Sequence, residues 1–188
     1  MSTMPSGQAT PAGQAAPPRE PTPRREPAPT DRTALQVDIV VDVPVEHAFR
    51  VFTERFDEIK PREHNLLAVP IDRTVLEPRV GGTVYDVGVD GSRCAFARVL
   101  AFDPPHRLLI SWDISPRWEL EPDPDRTSEV EVRFVEQAPE RTRVMLEHRH
   151  LDRHGAGWEG FTTLDTGNGW PLYLDRFRDA VRRHPNRT

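Results

Sequence analysis

From Thr83 to His150 the chain is a succession of alternating apolar and polar segments joined by short turn sequences, and few folds accept such a run. Thr83-Val84-Tyr85-Asp86-Val87-Gly88-Val89 meets Asp90-Gly91, a two-residue hairpin signal, and a strand over 93–102 follows directly. Asp103-Pro104-Pro105 then turns into a strand over 107–114. A polar loop over 115–128 carries Pro116, Pro122 and Pro124 and reads as irregular. Beyond it Val130, Val132 and Phe134 alternate with charges, Glu129 and Glu131 among them, which puts those two acids on a solvated face. Over 142–150, Val144, Leu146, His148 and His150 share one face, with Met145, Glu147 and Arg149 on the other. Strands this near in sequence pair antiparallel, with one buried and one wet face.

The flanks complete the pattern. Leu35, Val37, Ile39, Val41 and Val43 are apolar at odd positions, a half-buried strand. Pro44 suits a first helical turn, and Val45, Ala48, Phe49, Phe52 and Phe56 fall on one helical face that Pro61 limits. At the end the period changes. Trp170, Leu174, Phe177 and Val181 form one stripe of a helix with Pro171 in its first turn and Arg178, Arg182 and Arg183 toward its end. The fold class is therefore α+β: a curved antiparallel sheet of about six to seven strands wrapped around a long C-terminal helix.

Composition sets the boundaries. Residues 1–33 hold eight of the 20 prolines and no Leu, Ile, Val, Phe, Trp or Tyr. Such a segment buries too little apolar surface to offset its ordering entropy and reads as a disordered arm, leaving 34–184 as one domain. The net charge of −5 argues against a nucleic-acid surface. No apolar run is long enough to span a membrane or to serve as a secretory signal. Cys94 is the single cysteine, so neither an internal disulfide nor a cysteine zinc site can form. These features point to a cytoplasmic protein, monomer or homodimer, without a cofactor. Arginines outnumber lysines 24 to 1, Lys60 being the exception, which reads as coding bias.

Motifs that suggest chemistry each have a plainer explanation. Gly155-Ala-Gly157-Trp-Glu-Gly160 matches GxGxxG, but Trp158 crowds it and no βαβ unit can follow. His148, His150, His154 and Asp152 have metal-like spacing without a third rigid ligand, so no metal is expected. Cys94 lies mid-strand and reads as a small hydrophobe. Arg98 falls between Phe96 and Leu100 on an apolar pleat, either as a rim cation paired with a loop carboxylate or as an orienting group in a pocket. Trp112 and Trp170 suit a core, whereas Trp118 and Trp158 lie in loops and suit a cavity mouth or an interface.

The order of elements resembles the helix-grip arrangement of the SRPBCC superfamily, which includes START-like and birch-pollen-allergen-like proteins. More narrowly, the chain is similar to bacterial homologues of the heat-shock chaperone ATPase activator. The stretches concerned include Ala48-Phe49-Arg50-Val51-Phe52-Thr53, Leu76 through Gly82, Arg98-Val99-Leu100-Ala101 with Pro104 through Leu108, Ser111-Trp112, Ser128 through Phe134, Leu146-Glu147-His148-Arg149, and Gly169-Trp170-Pro171 with Leu174 and Phe177. Where relatives carry Trp-Trp-Pro, this chain has Ile59-Lys60-Pro61.

The resemblance implies a cavity between sheet and C-terminal helix. By inward parity its walls are Phe96, Arg98, Ile110, Trp112, Val132, Phe134, Leu146, His148, Trp170, Leu174 and Phe177, with Trp118 near the mouth. The leading expectation is non-enzymatic binding of a small or medium hydrophobic molecule, with Arg98 or His148 orienting its polar end. A cyclase or dehydratase using His148 as general acid or base is the enzymatic alternative. Association with a chaperone is the third, although the arm over 1–33 does not supply the extra domain that activators carry.

Overall fold

The computed structural model describes residues 33–186, so the expected disorder of the N-terminal arm lies outside the described residues. Seven strands form one antiparallel sheet: β1 (Leu35–Val41), β2 (Ile71–Leu76), β3 (Thr83–Gly88), β4 (Arg93–Asp103), β5 (Arg107–Trp112), β6 (Ser128–Ala138) and β7 (Arg141–Arg149). Their order across the sheet is β1-β7-β6-β5-β4-β3-β2, so β2 to β7 form a meander and the first strand pairs with the last. The connection between β1 and β2 carries α1 (Val45–Glu54) and α2 (Phe56–Ile59), and α3 (Trp170–Arg183) closes the fold. The α+β helix-grip arrangement is thus realised, with α1 packed on β6 and α3, and α2 on β2 and α3.

The helices form for the reasons their sequences give. Pro44 lies one position outside α1 as its N-cap, while Pro171 is within the first turn of α3. One face of each helix is apolar, and the faces meet. Phe52 of α1 stacks edge-on against Phe134 of β6 and Phe177 of α3, at ring separations of 5.6 and 5.3 Å. Phe49 contacts Phe134 at 5.2 Å and Phe102 at 5.3 Å. Each such pair adds ~0.5–1.5 kcal/mol beyond the area it buries.

Several local features depart from the alternation. β2 has no clean period, because a register shift between Ile71 and Arg73 leaves Thr74 and Leu76 as its buried residues. The turn at Asp90-Gly91 has three residues, not two: Gly88 and Ser92 close it, and Gly91 takes a left-handed φ of +83°. β5 stops at Trp112, and Ile114 pairs with Leu120 to make a small hairpin inside the loop over 115–128, with Trp118 at its tip. β7 stops at Arg149, because His150 adopts a left-handed φ of +60° and leaves the inner face. Glu131 does sit on the outer face, yet it is only 2% exposed. Arg107 and Arg133 both reach it at 2.6 Å, and Arg149 at 3.5 Å, so long side chains from neighbouring strands cover a position that alternation assigns to water.

Candidate functional site

The concave face of the sheet and α3 enclose an apolar cavity of about 20 Å³. Phe96, Ile110, Trp112, Val132, Leu146 and Trp170 line it, all of them wall positions expected from strand and helix parity. Phe52 and Phe56 complete the wall from the helices, and Tyr173 from α3. Phe134, Leu174 and Phe177 are buried in the adjoining core. A second hollow of about 10 Å³ lies at the loop end, bounded by His64, Trp118, Leu164 and Gly169. Trp112, Trp170 and Tyr173 border both hollows and form the partition between them. Larger depressions of about 180 Å³ beside Glu131 and about 370 Å³ beside His47 and Arg50 lie outside this space and carry many charged side chains.

Arg98 does not face the cavity. The register of β3 against β4 shifts between Val84 and Tyr85, so Ala97 and Val99 take the inward positions after Phe96. Arg98 instead pairs with Asp113 through Nε and Nη2, each at 3.1 Å, and Nη2 also donates to Thr127 Oγ1 at 3.2 Å. The bond to Asp113 raises its already high pKa. It is the rim cation paired with a loop carboxylate.

His148 stands behind the partition, fully buried. Trp170 Nε1–H donates to His148 Nδ1 at 3.3 Å, which leaves the imidazole proton on Nε2, 2.7 Å from Ser128 Oγ. The Ser128 hydroxyl in turn lies 2.8 Å from His154 Nε2, which also accepts from the Ser128 backbone N–H at 3.2 Å. His154 therefore carries its proton on Nδ1, an atom buried without a partner among the described residues. Burial, reinforced by His154, depresses the His148 pKa to about 3, so this imidazole is neutral. Both nitrogens are engaged, and the ring orients Trp170. His150 lies outside this network, with its ring 3.8 Å from Glu129. Among the described residues, no group of three or more His, Cys, Asp or Glu side chains could hold a metal ion.

The polar groups beside the cavity are others. Thr74, Asp86 and Cys94 stand in register across β2, β3 and β4. Thr74 Oγ1 donates to Asp86 Oδ1 at 2.6 Å, and Lys60 Nζ, at the end of α2, meets Asp86 Oδ2 at 2.8 Å. Lys60 also donates to the His64 carbonyl at 2.7 Å and lies 5.2 Å over the ring of Phe96. Burial lowers the Lys60 pKa against the opposing pull of Asp86, and burial raises that of Cys94, which keeps it a thiol. Tyr173 OH sits 3.5 Å from His64 Nδ1; burial pushes the phenol up and the imidazole down, so both are neutral. Only Lys60 had a sequence signal, as a cation where relatives carry an aromatic. Tyr173 shares the helix face of Trp170 and Phe177, and Asp86 the parity of Val84, but neither position alone points to chemistry.

Trp118 is 43% exposed at the tip of its hairpin, with its ring 5.8 Å from that of His64, at the loop end where a mouth is expected. Trp158 packs against the core instead. The glycines of Gly155 to Gly160 form turns, with Gly155 and Gly157 at positive φ, and support no phosphate loop.

A curled seven-stranded antiparallel sheet gripping a C-terminal helix defines an SRPBCC helix-grip protein. Residues 42–182 match the family described as Activator of Hsp90 ATPase homolog 1-like protein, and the chain belongs to that family. No curated protein matches it. Among solved structures it is similar to Txn09, an anthrahydroquino-γ-pyrone synthase complexed with a compound designated SUM. The two are 38% identical over 82% of this chain and 100% of that one, with a TM-score of 0.56. CalC, a self-sacrificing resistance protein from Micromonospora echinospora, is 27% identical over 82% of this chain and 97% of its own, with a TM-score of 0.59. Protein NE0264 from Nitrosomonas europaea shares the fold at 15% identity, covering 84% of this chain and 100% of its own, with a TM-score of 0.57.

Proposed function

We propose that this protein binds a fused-ring aromatic small molecule between the concave sheet and α3. The observation that carries the reading is the aromatic partition: Trp112, Trp170 and Tyr173 line both hollows, so displacing them would join the two. At about 20 Å³ the inner cavity holds about one water molecule, against roughly 300–1,000 Å³ for ligand pockets. Binding therefore requires opening. In this reading the segment over 150–169, built of 3-10 turns with Gly155, Gly157 and Gly167 at positive φ, is the part that yields. Planar aromatic ligands suit walls of this composition through stacked and edge-on contacts.

Titrating the full chain with anthraquinone and following tryptophan fluorescence tests this reading. Saturable quenching is expected, and its loss in Trp112→Ala. An unchanged emission up to the solubility limit of the ligand overturns it.

The resemblance to a γ-pyrone synthase over that protein's whole length favours a second reading, in which the bound molecule is a substrate for ring closure. Tyr173 and His64, a neutral phenol and a neutral imidazole, are then the acid–base groups in place of His148. Under this reading Tyr173→Phe slows turnover of an open-chain precursor while binding persists. A rate unchanged in that variant removes the reading.

A further inference from the structure

The chain has 24 arginines and a single lysine, and that lysine is among the most buried charged residues, only 3% exposed. An ammonium has three N–H donors on a compact head. Two of Lys60's are taken, by Asp86 Oδ2 and the His64 carbonyl. The third has no oxygen partner among the described residues, and the head lies over Phe96, a ring of the cavity wall. Asp86, the balancing carboxylate, is anchored by Thr74 within the row across β2, β3 and β4.

From this juxtaposition, and resting on the ligand-binding reading above, we infer that Lys60 is the specificity residue of the sheet–helix space. Its free N–H receives an ionised oxygen of the fused-ring ligand, a phenolate, enolate or carboxylate. The pair with Asp86 keeps the empty site neutral overall, and the ammonium is the member set against a cavity-lining ring. An anion that displaces the face of Phe96 gains a charge-assisted hydrogen bond in an apolar surrounding, where it is strongest. A neutral ligand of the same shape offers the ammonium at most a carbonyl oxygen and lacks the attraction between opposite charges. Burial already disfavours the charged form of Lys60, and an incoming anion compensates that penalty.

Because the lysine is unique, protein grown on isotope-labelled lysine carries one labelled side chain. The full chain is titrated at neutral pH with anthraquinone carboxylate and with the matching neutral carboxamide. The carboxylate is expected to bind roughly tenfold more tightly, as a single charge-assisted bond gives. It should also move the Lys60 Cε resonance further than the carboxamide does. Replacing both charges, Lys60→Met with Asp86→Asn, should erase the preference while carboxamide binding persists. Equal affinities in the natural protein, or a lysine signal that ignores the carboxylate, overturn the inference and leave the binding reading intact. If neither probe binds, both fall. Should the double variant not fold, the lysine signal of the natural protein decides.

Discussion

His148 shows how far one residue's chemistry depends on its neighbours. Alternation places it on the inner face, and the imidazole invites an acid–base role. Its nitrogens are nevertheless committed, one accepting from Trp170 and the other donating to Ser128. His148→Ala removes a fully buried ring and leaves the Trp170 N–H without its partner. The expected loss is ~3–5 kcal/mol of stability in urea unfolding, from cavity and unsatisfied-donor terms together. A loss below ~1 kcal/mol contradicts this placement. The sign of the pH dependence follows. The folded pKa, about 3, lies below the ordinary 6.5, so the unfolded chain takes up this proton first. Stability is therefore full above pH 6.5 and declines as pH falls toward 3, by ~1.4 kcal/mol per pH unit from this group. Urea midpoints measured across that range check it; a flat profile contradicts a buried neutral His148.

The elements were legible wherever the period was uninterrupted. The inward set of β6, the stripe of α3 and the phenylalanine face of α1 follow from spacing alone, because no register shift interrupts the period within these stretches. Bulges are where this legibility ends. A register shift reverses the side of every residue beyond it, and nothing in the spacing of Phe96, Arg98 and Leu100 announces one. Parity therefore points Arg98 into the cavity, whereas the backbone turns it to Asp113. Glu131 teaches the complementary point, since alternation finds its face but not the three arginines that cover it. Burial alone would raise this carboxyl. The Arg107 hydrogen bond and the charges of Arg133 and Arg149 outweigh that and hold it below the ordinary 4.5. Its contribution is present above pH 4.5 and fades as the pH drops through the lowered value. Glu131→Gln should lower stability at neutral pH by ~1–3 kcal/mol and flatten the acid limb of the unfolding profile. An unchanged acid limb would mean that the outer-face arginines do not act on this carboxylate.

At the scale of the molecule, family and architecture were within reach of the sequence because they rest on the order of elements. The candidate site was only partly so. Its apolar walls come from periodicity, but the polar groups beside it come from three separate parts of the chain: Lys60 and His64 in the connection between α2 and β2, Asp86 on β3 and Tyr173 on α3. No local pattern brings these together. The central claim is that the closed partition of Trp112, Trp170 and Tyr173 opens to admit a fused-ring aromatic molecule. The indole N–H of Trp112, buried and without a partner among the described residues, is the most direct reporter, since Trp112 lines both hollows. The deciding measurement is a nitrogen–proton spectrum of the four indole groups during titration with anthraquinone. Saturable shifts of the Trp112 and Trp170 signals are predicted, because both side chains line the two hollows. A spectrum in which Trp112 and Trp170 stay fixed while the ligand binds elsewhere would contradict the account.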